Sequence, residues 1–199
     1  MSGTELAVLR HGRTDWNEAG LIQGRADRPL SPAGRCQVSA WRVPPDLAAC
    51  RWVTSPLIRA RETAAILGHR EAEPVAALTE MDWGAWEGRS LARLRAEDPA
   101  GMAAKEARGL DLRPPGGESP RDLCNRLRPW LAALAQAAGS GGHRVAVCHK
   151  GVIRALLSLA SGWDMTGKPP SRLRADCCHR FRLDRAGRPA ILRLNEPLT

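Results

Sequence analysis

Four side chains of this sequence could together bind and act on an anionic small molecule. His11 and the neighbouring Arg10 follow an apolar run near the N-terminus, and His149 follows another such run in the C-terminal third. Arg59 comes shortly after a third segment of strand character. Histidine titrates near neutral pH, and arginine binds phosphate or carboxylate oxygens through paired hydrogen bonds. These residue types predict an anion site, provided that the fold brings the segments together.

Each of these residues also has an ordinary explanation when it is taken alone. Arg-His-Gly at 10–12 is a common tripeptide, and Arg59 could be an exposed helix residue. His149 could be a hydrogen-bonded core histidine. Glu80, which belongs to a fourth candidate stretch between Arg59 and His149, could be one more solvated carboxylate. Their order, each at the end of a suitable element, favours a shared site over four separate accidents.

The elements that must position these residues alternate between strands and helices. Short apolar segments at 5–9, 51–54 and 144–148 are typical of buried strands. This alternation predicts an α/β fold with three α/β/α layers and a mostly parallel sheet. Ligands bind beyond the carboxyl ends of the strands in such a sheet, so His11 and His149 are expected at one edge.

Three serine-proline pairs predict helix starts, because serine is a preferred N-cap and proline fits the first helical position. Ser31 and Ser55 are the first two predicted caps, and the helix after Ser55 is expected to reach about Leu67. Ser119 is the third, with Asp122 at its capping-box position. A glycine-rich run at 139–142 is expected to end that last helix.

The rest of the chain predicts an edge hairpin and an insertion. Segments 178–183 and 190–194 flank a turn sequence, which indicates an antiparallel hairpin at the C-terminal sheet edge. The stretch at about 81–117 has little strand character and is expected to form a small helical insertion, like a cap, over the active site. Residues 1–199 are expected to form a single domain.

The net charge of +9 allows two kinds of partner. A basic protein can bind nucleic acid, but the arginines do not form one tract and no nucleic-acid-binding motif is present. Some of the arginines could instead gather at one pocket for a small anionic substrate. We expect a small-molecule partner, with neither nucleic acid nor membrane; the oligomeric state stays open.

Cysteine usage and the N-terminus indicate a cytoplasmic protein. The six cysteines are scattered without a Cys-x-x-Cys pair, as expected for free thiols in a reducing compartment. The N-terminus lacks a basic segment followed by a long apolar one, so no secretory signal is predicted. No apolar run approaches the roughly 20 residues of a membrane span.

Six motifs, taken jointly, are specific to one family. They are LRHGRTDWN at 9–17, QGRADRPLSPAG at 23–34, SPLIRARETA at 55–64, EMDWGAWEG at 80–88, GES at 117–119 and VCHKGVIR at 147–154. Over nearly its whole length the chain resembles the histidine phosphatase superfamily of phosphoglycerate mutase-like proteins. Its acid-bearing motif looks like that of the phosphatase branch.

The resemblance implies a role for each residue of the predicted site. His11 would be the nucleophile that forms a phosphohistidine, and Arg10, Arg59 and His149 would stabilise the transferred phosphoryl group. Glu80 would be the general acid; Glu87 is the alternative, although a role in supporting its loop fits Glu87 better. No metal and no cofactor are expected.

Substrate contacts are implied at four further positions. Asn17, Gln23 and Gly24 match substrate-contacting positions of the family. Lys150 departs from the family pattern, in which a small residue commonly follows the second histidine. Its ammonium group could reach a second anionic group of the substrate or project into solvent.

The implied activity is phosphomonoester hydrolysis of a small phosphorylated metabolite. Phosphoglycerate mutase and α-ribazole phosphatase are alternatives within the family, and a non-catalytic phosphate-binding protein is an alternative of another class. Specificity is expected to lie in the insertion and in loops such as 163–172.

Overall fold

A computed structural model describes residues 3–137 and 143–198 and contains a mixed sheet of six strands. The spatial order is β3-β2-β4-β1-β5-β6. The first four strands in this order are parallel to one another. Strand β5 is antiparallel to β1, and β6 is antiparallel to β5. The bounds are β1 Thr4–Arg10, β2 Arg51–Thr54, β3 Glu73–Pro74, β4 Arg144–Cys148, β5 Cys177–Leu183 and β6 Pro189–Pro197.

Eight α-helices connect and cover the strands in the described part of the chain. They are α1 Asp15–Glu18, α2 Pro32–Ser39, α3 Pro45–Ala48, α4 Ile58–Ile66, α5 Leu91–Glu97, α6 Pro99–Glu106, α7 Pro120–Gln136 and α8 Lys150–Ser161. Short 3-10 turns occur at Ala76–Leu78, Gly84–Trp86 and Gly109–Asp111. None of the helices in the described ranges is long and apolar enough to cross a bilayer.

The alternation of side chains along β1 divides the core into two layers. Leu6 and Val8 face one layer, which also contains the apolar faces of α7 and α8. Ala7 and Leu9 face the other, which contains residues of α2 and α4. Successive strand residues point to opposite faces of a sheet, so a run that is apolar at every position must be covered on both sides. The three-layer α/β/α prediction is confirmed.

Two of the three predicted helix starts are confirmed, and the one at Ser55 is wrong. The Ser31 and Ser119 side chains cap α2 and α7, and Asp122 completes a capping box at the start of α7. Helix α4 instead begins at Ile58, whose N–H donates to the Asp27 carboxylate at 2.7 Å.

The C-terminal hairpin and the helical character of the 81–117 stretch match the prediction. Strands β5 and β6 form the antiparallel sheet edge. Trp86, Leu94 and Met102 form a small apolar core around α5 and α6, and Ile22 packs against this core. The glycine-rich run at 139–142, predicted to end α7, lies outside the described residues.

Candidate active site

The two predicted site histidines lie beyond the carboxyl ends of adjacent parallel strands. Arg10 of β1 is paired in register with Cys148 of β4, and each histidine is the next residue along its strand. The His11 N–H donates to the Cys148 carbonyl at 3.0 Å. As a result the two imidazole rings lie 5.1 Å apart between centroids, tilted by 56°. Parallel pairing therefore brings together two residues that are far apart in the sequence.

The imidazole of His11 is buried and held in one orientation. Its Nδ1 lies 2.7 Å from the Gly12 carbonyl. A carbonyl oxygen only accepts, so Nδ1 carries the hydrogen and Nε2 has the free lone pair. Burial, with the charges of Arg10 and Arg59, holds the pKa of His11 well below its usual range. The ring is therefore a neutral base with its nucleophilic nitrogen free.

His149 is fully buried and is bound by a residue that the sequence did not predict for the site. Its Nε2 lies 2.7 Å from the Ser55 hydroxyl at the end of β2. Burial, followed by the charges of His11, Arg59 and Arg10, lowers the pKa of His149 well below its usual range. This contact explains why Ser55 does not cap α4: its hydroxyl faces the ring across the sheet edge.

The Arg59 guanidinium is buried against the loop that contains Gln23 and Gly24. It donates to the carbonyls of Gly24 at 2.7 Å and Ala26 at 2.9 Å. Burial lowers the pKa of Arg59, yet arginine stays charged at any physiological pH. Thr63, one turn further along α4, accepts a hydrogen bond from the Gly12 N–H at 3.0 Å. Helix α4 thus links the Gln23 loop to the residue after His11.

Several buried polar atoms of the site have no hydrogen-bond partner among the described residues. They are Arg10 Nε, Gln23 Oε1, Arg59 Nε and His149 Nδ1. Buried polar groups without a partner are uncommon in folded proteins, so a cluster of them is a candidate position for a polar ligand. Three of these four atoms are nitrogens on basic side chains, which suits an anion.

Glu80 lies against the first turn of α8, the turn that directly follows the second histidine. Its Oε2 accepts from the Gly151 N–H at 3.1 Å and its Oε1 from the Met81 N–H at 2.9 Å. Burial raises the pKa of Glu80, and these two hydrogen bonds with the charges of Arg59 and Arg10 oppose that shift. A raised pKa favours the protonated carboxyl group, which is the form that a general acid needs.

Glu87 has a different environment, which matches the expectation that it supports a loop. Its carboxylate accepts from the backbone N–H groups of Arg25 at 2.7 Å, Ala26 at 3.0 Å and Trp83 at 3.3 Å. A Cβ at Gly24 would lie 1.9 Å from the Glu87 Oε1, so only glycine fits there. Glu87 therefore holds the Gln23 loop against the 81–117 segment.

The remaining predicted contacts occupy different positions. Asn17 completes the capping box of α1, since its Oδ1 accepts from the N–H of the N-cap residue Thr14 at 3.2 Å. Gln23 is buried and belongs to the loop whose carbonyl groups Arg59 binds. Lys150 is exposed and lines a pocket that it shares with Arg10.

The family model for the histidine phosphatase superfamily (branch 1) matches residues 6–197. The chain belongs to the histidine phosphatase superfamily. The match includes every residue of the predicted site, from Arg10 to Lys150.

Curated relatives within the superfamily include phosphatases and mutases. Glucosyl-3-phosphoglycerate phosphatase of Mycolicibacterium vanbaalenii is 36% identical over 176 residues, covering 82% of this chain and 77% of that protein. The 2,3-bisphosphoglycerate-dependent phosphoglycerate mutase of Methylobacterium radiotolerans is 30% identical, covering 98% of this chain and 91% of that protein.

Solved structures of the superfamily share the fold. A mycobacterial glucosyl-3-phosphoglycerate phosphatase in complex with VO3 superposes with a TM-score of 0.74 at 31% identity, covering 89% of this chain and 92% of that one. A structure named mycobacterial hydrolase 1 superposes with a TM-score of 0.78 at 27% identity, covering 98% of this chain and 100% of that one.

Proposed function

We propose that His11 is the nucleophile and Glu80 the general acid of a phosphomonoester hydrolase that works through a phosphohistidine. Phosphatase chemistry without a metal follows from membership of the superfamily and from its phosphatase relatives. The observation that supports the two roles is that the pKa of His11 is lowered and the pKa of Glu80 is raised. His11 is a neutral ring with a free Nε2, and Glu80 is a buried carboxyl with a raised pKa.

In the first step, Nε2 of His11 attacks phosphorus in line with the ester oxygen. The new N–P bond forms while the O–P bond of the ester breaks, and Glu80 gives its proton to the leaving oxygen. The products are an alcohol, a phosphohistidine and a Glu80 carboxylate.

In the second step, water attacks the phosphohistidine. The Glu80 carboxylate takes a proton from the water as its oxygen bonds to phosphorus and the N–P bond breaks. Inorganic phosphate leaves, and both His11 and Glu80 return to their starting states.

The positive charges of Arg10 and Arg59, together with a ring N–H of the neutral His149, stabilise the transferred group. The negative charge spreads over the equatorial oxygens in the transition state, so fixed donors reduce the barrier without moving. Removing one such donor typically costs about 3 kcal/mol of barrier. The buried nitrogens without a partner on these three residues support this role.

Gln23 and Gly24 are proposed to position the substrate, and Asn17 is proposed to do so from α1. Gln23 Oε1 is buried without a partner among the described residues, which supports a contact with the substrate body. The Asn17 Oδ1 is already engaged with the Thr14 N–H, so any substrate contact falls to its Nδ2 group.

Residues 1–199 are proposed to form one domain in which the 81–117 segment acts as a cap. The small core of Trp86, Leu94 and Met102 supports this arrangement, because Ile22 packs against it. Ile22 is the residue that precedes Gln23 in the sequence. The cap therefore contacts the loop that borders the proposed phosphate site.

A cytoplasmic location and a small-molecule substrate, with no nucleic acid or membrane partner, complete the proposal. All six cysteines are free thiols in the structure, which supports a reducing compartment. Cell fractionation, together with an oligonucleotide-binding assay at physiological salt, tests these assignments.

A turnover assay on purified protein tests the proposed activity. We expect phosphate release from p-nitrophenyl phosphate and from at least one of a panel that includes 3-phosphoglycerate, α-ribazole phosphate and glucosyl-3-phosphoglycerate. His11→Ala should abolish release, whereas the matched exposed variant His143→Ala should not. Failure of the parent protein on the whole panel would leave a non-catalytic phosphate-binding role.

Mutase activity is a second candidate, favoured by the mutase relative that covers almost the whole chain. A mutase must return the phosphoryl group to the substrate rather than to water. Interconversion of 3- and 2-phosphoglycerate primed by 2,3-bisphosphoglycerate, at a rate above phosphate release, would support it.

A further inference from the structure

A cationic pocket adjoins the proposed phosphate site and is not used by the two steps above. Its volume is 340 Å³. Arg10 forms one wall, α8 contributes Lys150 and Arg154, and the loop before β5 contributes Arg172 and Arg174. Neither aspartate nor glutamate is among the described residues that line it. The pocket therefore concentrates positive charge with no acidic side chain in its walls.

Three cations of this pocket differ from many other arginines of the chain, and from its own wall residue Arg174, which pairs with Asp176. Many surface arginines pair with carboxylates, as Arg121 does with Asp111. In residues 3–137 and 143–198, Lys150, Arg154 and Arg172 have no carboxylate within ion-pair distance. These three groups are thus available to an external anion.

The pocket is built before any ligand arrives. The Arg154 guanidinium is half-buried and lies 4.8 Å from the centroid of the Trp163 ring, which restricts its motion. Asn195 of β6 fixes the opposite wall, because its Nδ2 donates to the Arg172 carbonyl at 2.9 Å and its Oδ1 accepts from the Arg174 N–H at 2.7 Å. A preorganised wall reduces the entropy that binding must overcome.

We propose that this pocket binds a second anionic group, a carboxylate or a phosphate, on the same substrate whose phosphoryl group is transferred to His11. The inference rests on the proposed function and adds the substrate class. Like charges held together repel, and a ligand that brings negative charge relieves this repulsion. Arg10 borders both the pocket and His11, so one molecule can occupy both places.

The electrostatics of Lys150 agree with this assignment. Although Lys150 is exposed, desolvation of its ammonium group lowers its pKa, the charges of Arg10 and Arg154 lower it further, and the charge of Glu80 opposes this shift. Lys150, Arg10 and Arg154 line the same pocket, so they can act on one ligand group. The departure from the family pattern at Lys150 becomes part of a specificity site.

A matched pair of substrates tests the pocket directly. 3-Phosphoglycerate and glycerol 3-phosphate differ only in a carboxylate that replaces a hydroxymethyl group. We expect Arg172→Gln and Lys150→Gln each to reduce the ratio of kcat/KM for the charged over the uncharged member by about five- to tenfold. Arg185→Gln removes a positive charge from the exposed hairpin turn and should leave the ratio unchanged.

A second pair distinguishes the two kinds of anion. Fructose 1,6-bisphosphate and fructose 6-phosphate differ by a second phosphate, and binding of both pairs to His11→Ala protein can be measured by calorimetry. A preference for the charged member of either pair that Arg172→Gln removes supports the inference and identifies the anion. Raised salt should weaken that preference, since partly exposed ion pairs are screened.

The outcomes separate this inference from the proposed function. Unchanged ratios for both pairs in Arg172→Gln and Lys150→Gln, in turnover and in binding, would overturn the assignment of the pocket. Selective binding to His11→Ala without turnover by the parent protein would overturn the proposed function and leave the pocket assignment standing.

Discussion

At the scale of single residues, the account depends on the difference between the two glutamates of the EMDWGAWEG stretch, Glu80 and Glu87. Glu80→Gln should slow hydrolysis of alkyl phosphates about 100-fold or more, because their leaving oxygen needs a proton. The effect on p-nitrophenyl phosphate should be much smaller, since nitrophenolate leaves without one. Steady-state kcat on both substrates measures this dependence.

The matched control is Glu87→Gln, which should show no dependence on the leaving group. The pH profile adds an independent readout: because the acid must be protonated, kcat/KM should fall as pH rises through the raised pKa of Glu80. In Glu80→Gln this fall of kcat/KM at high pH should be absent. A leaving-group dependence found in Glu87→Gln instead would move the acid role to Glu87.

Ser55 is a residue whose contribution follows only from the structure. Ser55→Ala removes the hydroxyl 2.7 Å from His149 Nε2 and leaves the orientation of the ring unfixed. We expect a fall in kcat of about tenfold, from the loss of one buried hydrogen bond worth about 1–2 kcal/mol. Phosphate-release kinetics give the result.

Ser158→Ala is the control for this change, because it removes another buried serine hydroxyl, which donates to the Trp163 carbonyl at 2.6 Å. It should lower the melting temperature without a comparable fall in kcat. Equal losses of kcat in the two variants would show that Ser55→Ala acts through general destabilisation and would contradict a specific role for Ser55.

At the scale of elements, the N-terminal turn of α8 both follows His149 and binds Glu80. A Cβ at Gly151 would lie 2.2 Å from the Glu80 Oε1. Gly151→Ala should therefore displace the Glu80 carboxylate and slow alkyl phosphate hydrolysis as Glu80→Gln does. Alanine favours a helix more than glycine, so α8 itself should persist. Activity and far-UV circular dichroism, compared together, test this; full activity in Gly151→Ala would contradict it.

The elements also show what the sequence could and could not predict. The strands before His11 and His149 were predictable because their apolar runs are continuous, and α7 because its capping box is local. The prediction that Ser55 caps α4 was wrong because the Ser55 hydroxyl instead contacts His149, which is 94 residues away in the chain. Strand β3 has only two residues, too few for any periodicity.

At the scale of the whole molecule, the sequence predicted the two histidines at one sheet edge from strand topology alone. It did not predict the cationic pocket, because its walls come from β1, α8 and the loop before β5. No local pattern shows which arginines lack carboxylate partners. Such information appears only when the salt bridges of the fold are known.

Metal independence is a prediction about the complete site. Arginine charges and histidine N–H groups stabilise the negative charge of the transferred phosphoryl group in this account, so prolonged treatment with EDTA should leave kcat unchanged. Activity before and after chelation, followed by addition of Mg²⁺, Mn²⁺ or Zn²⁺, measures this. Loss on chelation with recovery by one metal would contradict the charge-stabilisation argument.

The most direct test of the central claim is rapid quenching of the protein during turnover of a ³²P-labelled phosphomonoester. The account predicts a phosphoprotein that is labile in acid and stable in base, with the label on the peptide that contains His11. His11→Ala should trap none. Label on serine or aspartate, or turnover by His11→Ala at the parent rate, would contradict the assignment of His11 as the nucleophile.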